Sequence, residues 1–302
     1  MKTILIAGGS GFLGEVLKKY FTEKDYLVKT LTRNPKKEND IYWNAKDLGE
    51  WNKELENAYA IINLTGRSVD CRYTNKNRKL IYDSRIDSTQ ILGLAINLCQ
   101  NPPEIWINSS TATIYRNSTD KEMDEEHGEI GDDFSMNIAK AWEKAFYSID
   151  NPKTRKIAIR TAIVLGKNGG ALIPLKKLTS LGLGGKQGSG TQKVSWVHEL
   201  DFARAIGFLI EKESLSGNFN ISVPKPTNNE TLMKSIRKTL EINFGINHPI
   251  WLLNFGAKLI GTETELVLKS RNVIPKRLLD NNFNFIHSNI ETALKDLLKN
   301  KS

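Results

Sequence analysis

Cysteine is scarce in this chain, with two in 302 residues. Cys71 and Cys99 stand far apart, and neither belongs to a CxxC pair. No cluster of His and Cys has metal-ligand spacing. A disulfide-stapled scaffold and a structural zinc site are therefore excluded, and two thiols in a reducing compartment fit the count. Long apolar runs are also missing. The N-terminal run Ile4 to Ala7 breaks at two glycines, too short for a signal-peptide core, and reads as a first strand. Pro249 to Ile260 is apolar but carries Asn254 and Lys258, so it does not read as a membrane span. A cytoplasmic protein with no membrane partner is expected. No internal repeat, low-complexity tract, GxSxG elbow or HExxH pair is present.

What the sequence has in excess is positive charge, formally +9. The basic residues are spread out. The densest groups, Arg72 to Lys79 and Lys234 to Lys238, read as solvated helix or loop surface. No basic motif with interleaved aromatics accompanies them, so nucleic acid is not an expected partner. An anionic cofactor and substrate suit such a surface.

Strand-like runs at Thr3 to Ala7, Leu27 to Thr32, Ala60 to Leu64, Glu104 to Ser109 and Lys156 to Val164 alternate with helical stretches. Those helices are expected at Gly11 to Glu23, Arg78 to Cys99 and Phe134 to Ser148. The alternation predicts an α/β fold, a Rossmann-like doubly wound parallel sheet with right-handed crossovers. A cofactor-binding domain is expected over 1–168, its core region extending to about 224. A smaller α/β lobe is expected over 169–302. That lobe should hold a strand at Lys193 to Val197, a helix at Glu199 to Glu211, a strand at Gly217 to Val223 and a helix at Asn229 to Leu240. A mainly helical C-terminal domain over 249–298 completes it. The lobe should cover the C-terminal edge of the sheet, where open α/β folds bind ligands.

The chemistry begins at Gly8, Gly9, Ser10, Gly11, Phe12, Leu13 and Gly14, which read GGSGFLG. They follow the first strand and open a helix, the context that makes a glycine fingerprint meaningful. Glycine lets backbone approach a pyrophosphate closely, and a helix N-terminus aims free N–H groups at it. After the second strand, NAD-binding folds carry an acidic residue for the ribose 2′-hydroxyl. Here stand Thr32 and Arg33. A guanidinium pairs with a 2′-phosphate, which selects NADP(H) as the cofactor.

GGSGFLG together with NSSTATIY resembles the extended branch of the short-chain dehydrogenase/reductase superfamily. More narrowly, the chain is similar to the atypical subgroup labelled epimerase family proteins. INLTG, DSRIDST, RTAIVLGKNGGAL, LGLGGKQGSG, SWVHELD and VIPKRLLDNNFNF carry that likeness. The resemblance implies that Leu64, Thr65 and Gly66 lie along the cofactor and that Arg85 contacts it. It also implies that Ser109, Ser110 and Thr111 border the nicotinamide. Trp196, His198 and Asp201 match a segment whose role in the subgroup is architectural.

In the superfamily a Ser/Thr orients the substrate oxygen, a Tyr exchanges its proton, and a Lys lowers the Tyr pKa and holds the ribose. By spacing, Thr111 and Lys140 take two of these places. The tyrosine has become Met136, and a thioether has no proton to give. Three readings stay open. Tyr115 or Thr111 supplies the proton; the reaction needs less proton help; or the protein binds NADP(H) without turnover, as a sensor or interaction protein. The acidic run Asp120 to Asp133 reads as a solvated loop near the cleft mouth. The loop Leu181 to Gly190 and the C-terminal lobe are expected to line the pocket of a small-molecule substrate whose identity no motif gives. The protein is expected to be a monomer or homodimer.

Overall fold

Short runs of β-branched and leucine residues become strands that are buried on both faces. β1 (Thr3–Ala7) is TILIA, with Ile4 to Ala7 fully enclosed. This is the pattern of a parallel strand sandwiched by helices. The computed structural model describes residues 1–261 and 263–299. Around β1 lie β2 (Leu27–Thr32), β3 (Asp40–Tyr42), β4 (Ala60–Asn63), β5 (Ile105–Thr111), β6 (Arg155–Thr161) and, late in the chain, β10 (Gly217–Ile221). They form one parallel sheet in the order β10-β6-β5-β4-β1-β2-β3. The chain winds outward from β1 to β3, returns to β4, and winds the other way. The switch point therefore lies between the C-terminal ends of β1 and β4, where such sheets bind ligands.

Alternate residues of β1 feed two cores. Ile4 and Ile6 pack with Leu17 and Phe21 of α1 (Phe12–Thr22) and with Phe202 and Ile206 of α5 (Glu199–Glu211). Leu5 and Ala7 pack with Leu92 and Ile96 of α2 (Asn75–Asn97) and Phe146 of α3 (Phe134–Tyr147). A third core joins α4 (Leu172–Ser180), α6 (Asn229–Thr239) and α10 (Ile290–Leu298) through Leu172, Ile236 and Leu294. The remaining helices are α7 (Ile250–Ile260), α8 (Glu265–Leu268) and α9 (Lys276–Asp280).

Several expected boundaries move. The run Lys156 to Val164 is two strands, because the chain leaves the main sheet at Ala162. β7 (Ile163–Leu165) then pairs in parallel with β9 (Trp196–His198). The run Lys193 to Val197 divides likewise: β8 (Lys193–Val194) pairs with β11 (Thr227–Asn228). α2 starts three residues before Arg78, because the Thr74 hydroxyl accepts from the Asn77 N–H and caps it. β3 and α4 were not expected from the sequence. β10 lies beyond residue 168 yet forms an edge of the main sheet. Among the described residues, no helix is long and apolar enough to cross a membrane.

Candidate cofactor cleft

The turn after β1 is built so that nothing but glycine fits at three places. Gly8 sits at φ +75°, and a Cβ there would lie 3.1 Å from the Thr65 backbone. At Gly9 a Cβ would meet Thr30 at 2.9 Å. At Gly14 it would overlap the Gly9 carbonyl, so glycine there lets α1 press on the turn. Gly11 caps α1 in extended conformation with no side-chain hydrogen bond. The first N–H groups of α1 are thus left for an anion, with the helix dipole behind them. Ser10 is exposed, and its hydroxyl accepts from Thr32 Oγ1 at 3.3 Å. Phe12 does not face the cleft freely, because its ring packs on Gly166, Gly169 and Gly170. Leu13 packs into the sheet core.

Arg33 is exposed just past β2 and makes no ion pair among the described residues. Beyond β4, Leu64 is half-buried and Thr65 donates its N–H to Asn63 Oδ1 at 3.0 Å. The Thr65 hydroxyl is buried with no hydrogen-bond partner among the described residues. Asn63 also donates to Asn108 Oδ1 at 2.7 Å, inside a buried network that reaches Thr89 and Trp142. The amides on two adjacent strand ends hold the cleft floor in register. Arg85 lies against Gly66, where a Cβ would come within 3.3 Å of the guanidinium carbon. Among the described residues it donates to the carbonyls of Ile81 at 2.9 Å and Arg67 at 3.1 Å. Burial, with no carboxylate bonded to it, pulls its pKa down to about 10.

Strand alternation sorts the end of β5. Ser109 and Thr111 are half-buried and share one face. Ser110 points the other way, which corrects its expected place on the nicotinamide. Its hydroxyl donates to Glu143 Oε1 at 2.6 Å in the interior. Thr111 Oγ1 lies 3.0 Å from Thr113 Oγ1, forming a hydroxyl pair at the strand end. Tyr115 is also corrected. It is 0% exposed, and its phenol is held by Arg160 at 2.8 Å and Asn220 at 3.0 Å. Burial raises its pKa. An enclosed hydroxyl committed to two partners has no route to a substrate. Arg160 is in turn held by both oxygens of Glu143 at 2.8 Å, and this pair keeps its guanidinium charged despite burial.

On α3, Met136 is buried, with its sulfur against Gly131 and accepting from the Asp133 N–H at 3.5 Å. Lys140, one turn on, pairs with Asp132 at 2.6 Å and is 39% exposed. The acidic run is only partly solvated. Met123 is fully buried, and Glu125 accepts from the Asn220 N–H at 2.8 Å, its pKa raised by burial. Sequence reasoning passed over Glu143, Asn63 and Asn108, whose only signal was a polar residue inside an apolar run. It also passed over Tyr73, whose ring stands edge-on to Phe134 at 4.8 Å. Burial pushes the Tyr73 phenol up to about 12. A hollow of about 250 Å3 beside Glu104, Ile105 and Arg155 lies at the opposite sheet end and takes no part in this cleft.

Residues 4–222 match the model of the NAD dependent epimerase/dehydratase family, and 249–297 match a domain of unknown function, DUF1731. Epimerase family protein SA0724 of Staphylococcus aureus is 32% identical, over 99% of this chain and 100% of the relative. Human epimerase family protein SDR39U1 (isoform 2), crystallised with NADPH, superposes with a TM-score of 0.89 at 27% identity, over 98% of each chain. The nucleoside-diphosphate sugar epimerase of Corynebacterium glutamicum gives 0.80 at 25% identity, over 98% of this chain and 58% of its own. With the glycine turn, the switch-point cleft and matches over nearly its whole length, the chain belongs to the NAD dependent epimerase/dehydratase family.

Proposed function

We propose that this protein binds NADP(H) and carries out oxidoreductase- or epimerase-type chemistry on a small molecule bearing a carbonyl or hydroxyl. The observation that carries the reading is the α1 N-terminus, which has no side-chain cap, with Arg33 exposed beyond β2 and without an ion pair among the described residues. The orphaned Thr65 hydroxyl and the close-packed glycines fit a dinucleotide as well. A structural neighbour of the same family was crystallised with NADPH.

In this reading Gly9, Ser10, Gly11 and the first turn of α1 hold the pyrophosphate, and Arg33 holds the 2′-phosphate. Leu64, Thr65, Gly66 and Arg85 form the floor. When bound, the nicotinamide supplies or accepts a hydride. Thr111, paired with Thr113, orients the substrate oxygen, and Lys140 reaches the ribose. The buried Tyr115 keeps a structural role. With Met136 in place of a phenol, the threonine hydroxyls relay the proton between the substrate oxygen and water, inward when hydride is supplied and outward when it is accepted. A positioned general acid is worth about 10²–10⁴-fold, so turnover is slow by roughly that factor. Met136 also supports a second reading, an NADP(H) sensor with no turnover.

Titration with NADPH and NADH tests the cofactor. Wild type prefers NADPH, and Arg33→Ala weakens NADPH by about 10–100-fold, the value of a charged hydrogen-bonded contact. Equal loss for NADH would remove Arg33 from the 2′-phosphate, and no binding at all would end the proposal. NADPH consumption across a panel of carbonyl compounds separates enzyme from sensor.

A further inference from the structure

The arginines of this chain fall into two kinds. Arg155 spends its guanidinium on the carbonyls of Leu209, Ile210 and Leu215 at 2.7–2.9 Å. Arg160 is saturated by Glu143 and Tyr115. Arg277 donates to the carbonyls of Asn218 at 2.7 Å and Ser216 at 2.9 Å. These are structural arginines, each with two or three hydrogen bonds to the protein. Arg271 is different. It is half-buried, and among the described residues its guanidinium makes one hydrogen bond, from Nη1 to the Tyr115 carbonyl at 3.3 Å. A guanidinium carries five donors, and leaving them unmade inside a protein is costly.

Its position explains what the spare donors face. The segment from Glu263 to Arg271 is strapped across the top of the sheet. Glu263 accepts from the Tyr73 N–H at 2.9 Å, in the loop after β4. Glu265 accepts from Ser135 Oγ at 2.9 Å, at the start of α3. Ser270 donates to the Ser118 carbonyl at 2.7 Å, and the Arg271 N–H donates to the Lys193 carbonyl at 2.8 Å. The strap thus delivers Arg271 to the Tyr115 carbonyl, in the turn that follows β5. The two carboxylates in its electrostatic reach are Asp133 and Glu265. Both are already bonded to Lys269. Arg85 lies against Gly66, and Tyr73 is within electrostatic reach of both guanidiniums.

We propose that Arg271 is the recognition group for an anionic substituent, a carboxylate or a phosphate, on the small molecule that shares the cleft with the dinucleotide. The planar fork of arginine matches either group in two parallel hydrogen bonds. Because the guanidinium is pre-placed by the strap and, among the described residues, makes no ion pair, little has to be broken for it to bind. The assignment rests on the cofactor reading, since the dinucleotide is taken to occupy the phosphate turn and the floor at Arg85.

The test titrates the full-length protein, saturated with NADP+, with inorganic phosphate and separately with malonate at constant ionic strength. Saturation fills the cofactor's own phosphate sites. Wild type binds one of the two anions, and the tighter one names the substituent. Arg271→Gln weakens that anion at least about tenfold, the scale of a charged bidentate contact, and leaves NADPH affinity within about twofold. Arg271→Lys, which keeps charge without the fork, lies between and serves if the glutamine variant does not fold. Equal anion affinity in wild type and Arg271→Gln overturns the proposal. So does a loss of NADPH affinity in Arg271→Gln as large as in Arg33→Ala, which would make Arg271 a cofactor residue. If wild type binds no dinucleotide, the cofactor reading fails separately, and the same anion titrations on the free protein still decide Arg271.

Discussion

At the scale of single residues, the interior behind the cleft is held by charge rather than by apolar packing alone. Glu143 accepts two hydrogen bonds from Arg160 and one from Ser110, all buried. Removing one partner of such a pair leaves a buried charge uncompensated, at a cost of about 3–5 kcal/mol. Glu143→Ala is expected to lose that much stability in denaturant unfolding. A loss below about 1 kcal/mol, the range of exposed pairs, would mean that water reaches Arg160. The same network explains why Tyr115 cannot donate a proton. Its phenol is the far end of the Arg160 bridge, and none of its partners adjoins it in sequence.

At the scale of elements, the start of α1 decides both packing and binding. Gly14 lies where the first turn of the helix crosses Gly9. Gly14→Ala forces that turn outward and is expected to cost about 1–3 kcal/mol, as overpacking does. NADPH affinity should fall with it, because the N–H groups move. Gly256 in α7 is the control, since a Cβ there meets nothing within 4 Å. Gly256→Ala is expected to be neutral or to stabilise by up to about 1 kcal/mol through helix propensity. Thermal melts of both variants check the contrast. If Gly14→Ala melts like wild type, the packing account of the turn is wrong.

At the scale of the whole molecule, the C-terminal segment is tied back to the main sheet's helical layer. The buried Asp201 carboxylate accepts from the N–H groups of Ile286 at 3.0 Å and His287 at 2.7 Å, and from Arg204 at 2.7 Å. His198 caps α5, its Nδ1 accepting from the Leu200 N–H at 3.0 Å, so its proton sits on Nε2. That nitrogen lies 3.3 Å from Asp296, poorly aligned for a hydrogen bond. The His198 and His287 rings stack at 3.8 Å with 19° between planes. Stacked rings cannot converge their lone pairs on one ion, and the Nε2 proton blocks the site, so this cluster of His198, His287 and Asp296 does not suit a metal. Burial, then repulsion from His287, pulls the His198 pKa down to about 4, against the opposing pull of Asp296 and Asp201. An unfolded histidine titrates near about 6.5. Between those values the unfolded chain binds the extra proton, so stability is full above about pH 6.5 and falls as pH drops toward 4. Unfolding free energies at pH 7 and pH 5 should differ more in wild type than in His198→Gln. Equal differences would show that His198 does not titrate on unfolding.

The sequence by itself determined what short stretches control. The glycine turn, the buried strands and the amphipathic helices were legible because turn geometry, strand periodicity and capping depend on residues a few positions apart. The doubly wound parallel class followed from the strand–helix alternation, while the strand order, with β3 and β10 at its edges, did not. Only the tertiary structure decided which hydroxyls face the cleft. Ser109 and Ser110 are neighbours in sequence, yet one edges the site and the other is sealed inside. The break at Ala162 exists because β9 offers β7 a partner, which nothing near Ala162 announces. Arg271 reaches the Tyr115 carbonyl, just past β5, from 156 positions away in the chain. Burial and long-range contact belong to the packed whole, so no local pattern of residues carries them.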